Sequence, residues 1–187
     1  MRRTSEKKRI NIYGLVLTAV FTAMTAAATL AIRIPSPMSG YINLGDVIVL
    51  VSAWILGPVY GTFAAGVGSM LADFIAGYAA YAPGTLVIKS LCALTACLIF
   101  RAAAKKDAAQ NGVGVAIRIV SGFFGEAVMV AGYFAYAGLL LGKGLAAAAS
   151  IPGNCLQAVV GLTLGAALTE TLLRNGKIRA YLTDMKL

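Results

Sequence analysis

The sequence predicts an all-α membrane protein, a bundle of six transmembrane helices, and three observations predict it. Hydrophobic residues make up 59% of the 187 residues, charged residues only 12%, and mean hydropathy is +0.83; soluble domains run near a quarter charged. Long uncharged runs cover residues 10–32, 47–72 and 151–169, and about 20 apolar residues in a helix cross a hydrocarbon core of about 30 Å. The cations gather at the edges of those runs rather than on one face. They cluster at Arg2, Arg3, Lys7, Lys8 and Arg9, at Arg101, Lys105 and Lys106, and at Arg174, Lys177, Arg179 and Lys186. The net charge of +9 therefore reads as membrane anchoring, not as a nucleic-acid surface.

The first helix is expected over residues 10–32. Its uncharged run exceeds the 7–15 residues of a signal-peptide core, so it reads as a retained span. It ends at Arg33-Ile34-Pro35-Ser36-Pro37, because prolines cannot continue a helix and hold their predecessors extended. A polar segment, Ser39-Gly40-Tyr41-Ile42-Asn43, follows. The second helix, 44–56, stops at the Gly57-Pro58 turn. It is short for a crossing, so it is expected to be tilted and sheltered by protein, or re-entrant. The third, 59–77, is rich in small residues that favour close helix contact. The fourth covers 85–103 and the fifth 115–141, with a polar connector over 105–114. A loop over 142–150 leads into the sixth helix, 151–173.

The whole is one domain: a basic tail over 1–9, the bundle over 10–174 and a second tail over 175–187. An even number of crossings puts both termini on one side. That side carries the three cation clusters, against only Arg33 and Lys143 opposite, so both termini are expected in the cytoplasm of a cell-membrane protein.

Ionisable groups within hydrocarbon are costly and normally face a cavity or a partner. Asp73, Lys89 and Glu126 are such groups. One reading pairs Lys89 with Asp73 or Glu126; the other has all three lining a pocket. Glu126, Met129 and Tyr133 recur at three- and four-residue spacing, hence on one helical face. A carboxylate, a thioether and a phenol suit a flat heteroaromatic ligand. Tyr136 reads instead as an interfacial anchor. Asn154 and Gln157, three apart near the start of the last helix, offer amides able to read a ring edge. Tyr41, Asn43 and Asp46 lie on the same outer side, although Asn43 also fits a helix cap and Asp46 a favourable first helical turn. The stripe Ala19, Ala23, Ala27, Ala31 permits close approach of another helix. Glu170 and Arg174 read as a surface pair.

Other chemistry is not supported. Cys92, Cys97 and Cys155 lie in apolar runs, are expected to be small buried hydrophobes, and have no histidine to join in a metal site. No catalytic nucleophile with a base is found, and Gly142-Lys143-Gly144 lacks the spacing of a phosphate-binding loop. Any ATP must therefore be used by partner subunits, and no cofactor is expected in this chain.

Six stretches together resemble the S components of energy-coupling factor (ECF) vitamin transporters. They are Gly40-Tyr41-Ile42-Asn43-Leu44-Gly45-Asp46, the Gly57-Pro58 turn, Gly68-Ser69-Met70-Leu71-Ala72-Asp73, residues 81–89, residues 125–133 and Pro152-Gly153-Asn154-Cys155-Leu156-Gln157. The nearest subgroup is the riboflavin, hydroxymethylpyrimidine and pyridoxine type. The resemblance implies a six-helix substrate-binding subunit with an outward pocket capped by the loop after the first helix. It implies partners too: a transmembrane T component, met by Ala19, Ala23 and Ala27, and two ATPase subunits. Candidate ligand contacts are Glu126, Asn154 and Gln157, with Tyr133 and Met129 as walls and Lys89, Asp73, Asn43 and Tyr41 nearby. The alternative from another class is a stand-alone proton-coupled carrier or channel using Glu126 and Asp73.

Overall fold

A computed structural model describes residues 12–36, 40–104, 112–176 and residue 180. The basic clusters at 2–9, 105–106, 177–179 and 186, like Pro37 and Ser39, lie outside the described residues. Among the described residues, five helices are long and apolar enough to cross a membrane. Helix α1 (Ile12–Ala31) leads into a hairpin of β1 (Arg33–Ser36) and β2 (Gly40–Asn43). Then come α2 (Gly45–Ala76), α3 (Ala82–Ala103), α4 (Gly112–Ala135) and α5 (Ile151–Arg174). A π-helical turn, Tyr136–Leu140, extends α4, and a 3-10 segment, Gly144–Ser150, occupies the expected loop before α5. Helix α2 packs against α1, α3 and α5, and α4 completes the ring between α3 and α5.

Helix α1 has two faces. Gly14, Thr18, Thr25 and Thr29 are buried, while Ala19, Ala23, Ala27 and Ala31 are exposed. The threonine hydroxyls donate to carbonyls four residues back, at 2.7–2.8 Å. That satisfies a polar group inside an apolar packing face without any partner from another helix.

Where an irregular polar loop was expected, the chain makes an antiparallel hairpin. Pro35 faces Tyr41 and Ser36 faces Gly40. The prolines that stop α1 bias their predecessors toward extended backbone, which the second strand then pairs.

The expected second and third helices form one apolar segment, α2, and the break between them is a sharp bend. Gly57 takes φ 83° and ψ −171°, a conformation open essentially to glycine alone. Residues nine apart on a straight helix stand about 13.5 Å apart. Here the Ser52 hydroxyl donates to the Gly61 carbonyl at 3.2 Å, so the two arms fold back on one another. A side chain at position 61 would meet the Ser52 carbonyl oxygen at 2.4 Å. No residue of the first arm, 45–57, is exposed. At about 1.5 Å per residue that arm is roughly 18 Å long, and protein surrounds it throughout.

The apolar core is made of small and medium side chains, with Val49 and Leu50 from the first arm, Ile88, Cys92, Ala93 and Ala96 from α3, and Met129 from α4. Large apolar side chains point outward instead, among them Val59, Phe63, Ile75, Phe123 and Val159, as they do where hydrocarbon is the solvent. Cys92 and Cys97 are buried, but Cys155 is exposed: it lies on the outer side of α5, because the inner side carries Asn154 and Gln157. The Glu170–Arg174 pair is present at 3.5 Å. Glu170 also accepts from Arg118 at 3.2 Å. Arg118, a buried cation the sequence reading overlooked, further lies 5.1 Å from the centre of the Phe100 ring.

Candidate binding site

The hairpin roofs a small cavity of about 40 Å³ at one end of the bundle. Tyr41, Asn43, Asp73, Tyr133, Asn154 and Gln157, all singled out from sequence, line it. Ser36, Tyr78, Tyr81 and Thr85 complete the polar wall. These residues come from the hairpin, from α2 with the turn that follows it, and from α3, α4 and α5, so the cavity exists only when all five segments are assembled.

Two hydrogen bonds tie down the roof. The Tyr41 hydroxyl donates to Asp73 Oδ1 at 2.6 Å, and its ring lies 4.6 Å from that of Tyr78. Burial holds the Tyr41 phenol far above its ordinary range, and the hydrogen bond to Asp73 and that residue's charge raise it further. It therefore stays protonated and able to donate. At the other strand end, the Asn43 amide donates to Gln157 Oε1 at 2.8 Å. The Asn43 side chain accepts from the Gly45 amide at 2.8 Å, so this residue caps the start of α2 as well as lining the cavity.

The floor is a buried polar layer. Lys89 is paired with Asp46, and Gln157 Nε2 donates to the other Asp46 oxygen at 2.5 Å. Both ends of the Gln157 amide are thus used within the protein, joining roof to floor. Lys89 also lies 5.4 Å from the centre of the Tyr133 ring, whose hydroxyl shares a 3.0 Å hydrogen bond with Thr85. The partner of Lys89 is therefore neither of the acids the sequence suggests, Asp73 and Glu126, but Asp46, for which the sequence offers a place among the outer polar residues or in a favourable first helical turn. A clue lay in the sequence: Asp46 is the one ionisable group in an otherwise apolar helix too short to reach water at both ends.

Glu126 and Met129 sit deeper. Met129 is wholly buried in the apolar core. Glu126 is 2% exposed, and neither of its carboxylate oxygens has a hydrogen-bond partner. It adjoins Gly161, where an added side chain would come within 3.3 Å of Glu126 Oε1 and 2.6 Å of Asp46 Cβ. Glu126 also borders an apolar crevice of about 410 Å³ between α4 and α5, walled by Phe123, Val130, Cys155 and Leu162. The Tyr136 hydroxyl donates to the Ala80 carbonyl at 2.8 Å, and its ring packs over Gly84.

The arrangement can enclose a small polar solute but holds no nucleophile poised against a base. A family model described as "ECF-type riboflavin transporter, S component" matches residues 9–174. The chain is also 41% identical, over 142 residues, to a Pyrococcus woesei protein described only as an uncharacterized protein in a gap 3' region. That match covers 75% of this chain and 88% of the relative.

Proposed function

The chain belongs to the ECF-type riboflavin transporter S-component family, the substrate-binding subunits of ECF transporters, and from that premise we propose that it captures a small heteroaromatic vitamin or precursor for import. The candidate solutes are of the riboflavin, hydroxymethylpyrimidine or pyridoxine type. The observation that carries the reading is the cavity itself: polar side chains from five segments converge at one depth beneath a two-stranded roof. A lone buried polar group in a membrane protein is commonly a helix–helix contact, but a converging set with unused acceptors is a binding site.

The path of the chain fits six spans, with the two arms of α2 counted separately, both termini in the cytoplasm and the hairpin facing outward at the plasma membrane. A cavity of about 40 Å³, where about 10–15 Å³ suffices for one water, takes a few waters rather than a ring. A heteroaromatic ring therefore needs the hairpin to lift. The Tyr41–Asp73 and Asn43–Gln157 bonds are the contacts that open and re-form as it does. Asn154 lines the cavity and Tyr133 is a wall; Glu126, expected as a contact, lies beneath it, and the substitutions test both. The chain itself performs no catalysis and needs no cofactor: a T component meeting Ala19, Ala23 and Ala27, with two ATPases, would use ATP to drive release inside.

Titration calorimetry on the purified chain in nanodiscs tests this. Asn154→Ala and Glu126→Gln should each weaken binding of a solute the native chain takes up, by about tenfold, while the protein stays folded. Unchanged affinity in both removes this pocket. The unpartnered Glu126 beside the Asp46–Lys89 pair is what favours the second reading, a proton-coupled carrier. Solute uptake by vesicles containing this chain alone, without ATP, would establish that reading instead.

A further inference from the structure

The wall of the cavity is unevenly supplied with charge. Asp46, Asp73 and Glu126 are the fully or almost fully buried carboxylates among the described residues. Lys89 is the buried ammonium of the same region, and Asp46 holds it. The other buried cation, Arg118, precedes Glu126 by more than two helical turns and is engaged by Glu170. Among the described residues, Asp73 has no cation within ion-pair distance, and Lys89 acts on it only from farther away. Asp73 is 4% exposed and lines the cavity. Its Oδ1 accepts from the Tyr41 phenol, and its Oδ2 has no hydrogen-bond partner.

Aromatic rings surround the same spot. Tyr41, Tyr78, Tyr81 and Tyr133 all line the cavity. Lysine ammoniums already lie near two of them, Lys89 at 5.4 Å from the Tyr133 centroid and Lys143 at 5.1 Å from that of Tyr81. Tyr41 and Tyr78, in contact at 4.6 Å, are left beside Asp73. A buried carboxylate with no cation in contact is expensive, and a carboxylate beside aromatic rings is the chemistry that recognises ammonium groups.

We infer that the solute this chain prefers carries a protonated aliphatic amine, which seats on Oδ2 of Asp73 against the Tyr41 and Tyr78 rings. The inference rests on the capture reading above and narrows its substrate class. It selects amine-bearing heteroaromatics over neutral ones of the same size. A neutral hydroxyl could donate one hydrogen bond there but would leave the carboxylate's charge uncompensated.

Pyridoxamine and pyridoxine test this directly, since they differ in an aminomethyl against a hydroxymethyl group on one ring; riboflavin serves as a larger neutral ring. Calorimetry on the full chain in nanodiscs at neutral pH should show pyridoxamine bound about tenfold or more tighter than pyridoxine. Asp73→Asn keeps an acceptor for Tyr41 and should close that gap by removing the advantage of pyridoxamine. Preference in the unaltered chain is the primary readout, so a variant that fails to fold decides nothing by itself. Equal or tighter binding of pyridoxine or riboflavin overturns the cationic class and leaves capture standing. Binding of none of the three, and of no hydroxymethylpyrimidine either, overturns both.

Discussion

Lys89 is the side chain that most depends on its neighbours. It is 2% exposed, and an ammonium at that burial is tolerated only with a counter-charge in place. Asp46 provides it, and Gln157 fixes the second Asp46 oxygen. Asp46→Asn keeps the shape and the acceptor for Gln157 but leaves Lys89 uncompensated. It should destabilise the protein by about 3–5 kcal/mol, read as a large drop in thermal unfolding temperature in detergent. Arg174 is the contrast. Its side chain is 79% exposed in its pair with Glu170, so Arg174→Ala should cost at most about 1 kcal/mol. Equal effects from the two substitutions would mean that the Asp46 pair does not hold the floor together. The same residues explain why Gln157 was only half legible in the sequence. Its position near the start of a helix marked it as a polar residue of the pocket, but nothing local shows that both ends of its amide are used by Asn43 and Asp46, more than a hundred residues away.

The element that builds the site is the bend in α2. The Gly57-Pro58 pair announces a break, and the structure turns that break into a fold-back that buries the whole first arm. Two glycines permit it for different reasons. Gly57 supplies a backbone angle that a side chain resists, and Gly61 leaves room for the Ser52 carbonyl. Gly57→Ala should cost about 1–3 kcal/mol through backbone strain. Gly61→Ala should cost a similar amount through overlap with backbone that cannot swing aside. Both should also lower ligand affinity, because the first arm carries Asp46 to the floor of the cavity. Gly40, where an added Cβ meets nothing within 4 Å, is the control: Gly40→Ala should change stability by less than about 0.5 kcal/mol. Calorimetric and thermal measurements on the three variants compare these effects.

At the scale of the whole molecule, α1 separates the inside of the protein from its surroundings. Its threonines face α2, and Ala19, Ala23 and Ala27 face away. An open groove of about 540 Å³ runs beside them, with Val59, Tyr60 and Phe63 of the second α2 arm on its far bank. None of these residues lines the cavity. Enlarging the stripe should therefore leave capture intact and impair assembly. Ala23→Leu is expected to bind solute like the native chain in isolation, yet to lose co-purification with a T component by about tenfold. Loss of solute binding in the isolated variant would show instead that the stripe belongs to the bundle's own packing.

The sequence by itself determined the class of the molecule, the positions of nearly all its helices and part of the polar lining of the cavity, namely Tyr41, Asn43, Asp73, Tyr133, Asn154 and Gln157. Those properties are written locally: apolar run length against bilayer thickness, proline and glycine at the breaks, and the cost of placing Asp73, Lys89 or Asn154 within hydrocarbon. Tertiary structure alone decided the partners. That Lys89 pairs with Asp46, that Gln157 links roof to floor, that the proline-rich loop pairs as a hairpin, and that Glu126 lies below the cavity all depend on how segments far apart in the chain meet. An ion pair or hydrogen bond is specified by distances of a few ångströms across that assembly, and no local pattern of residue types encodes such distances.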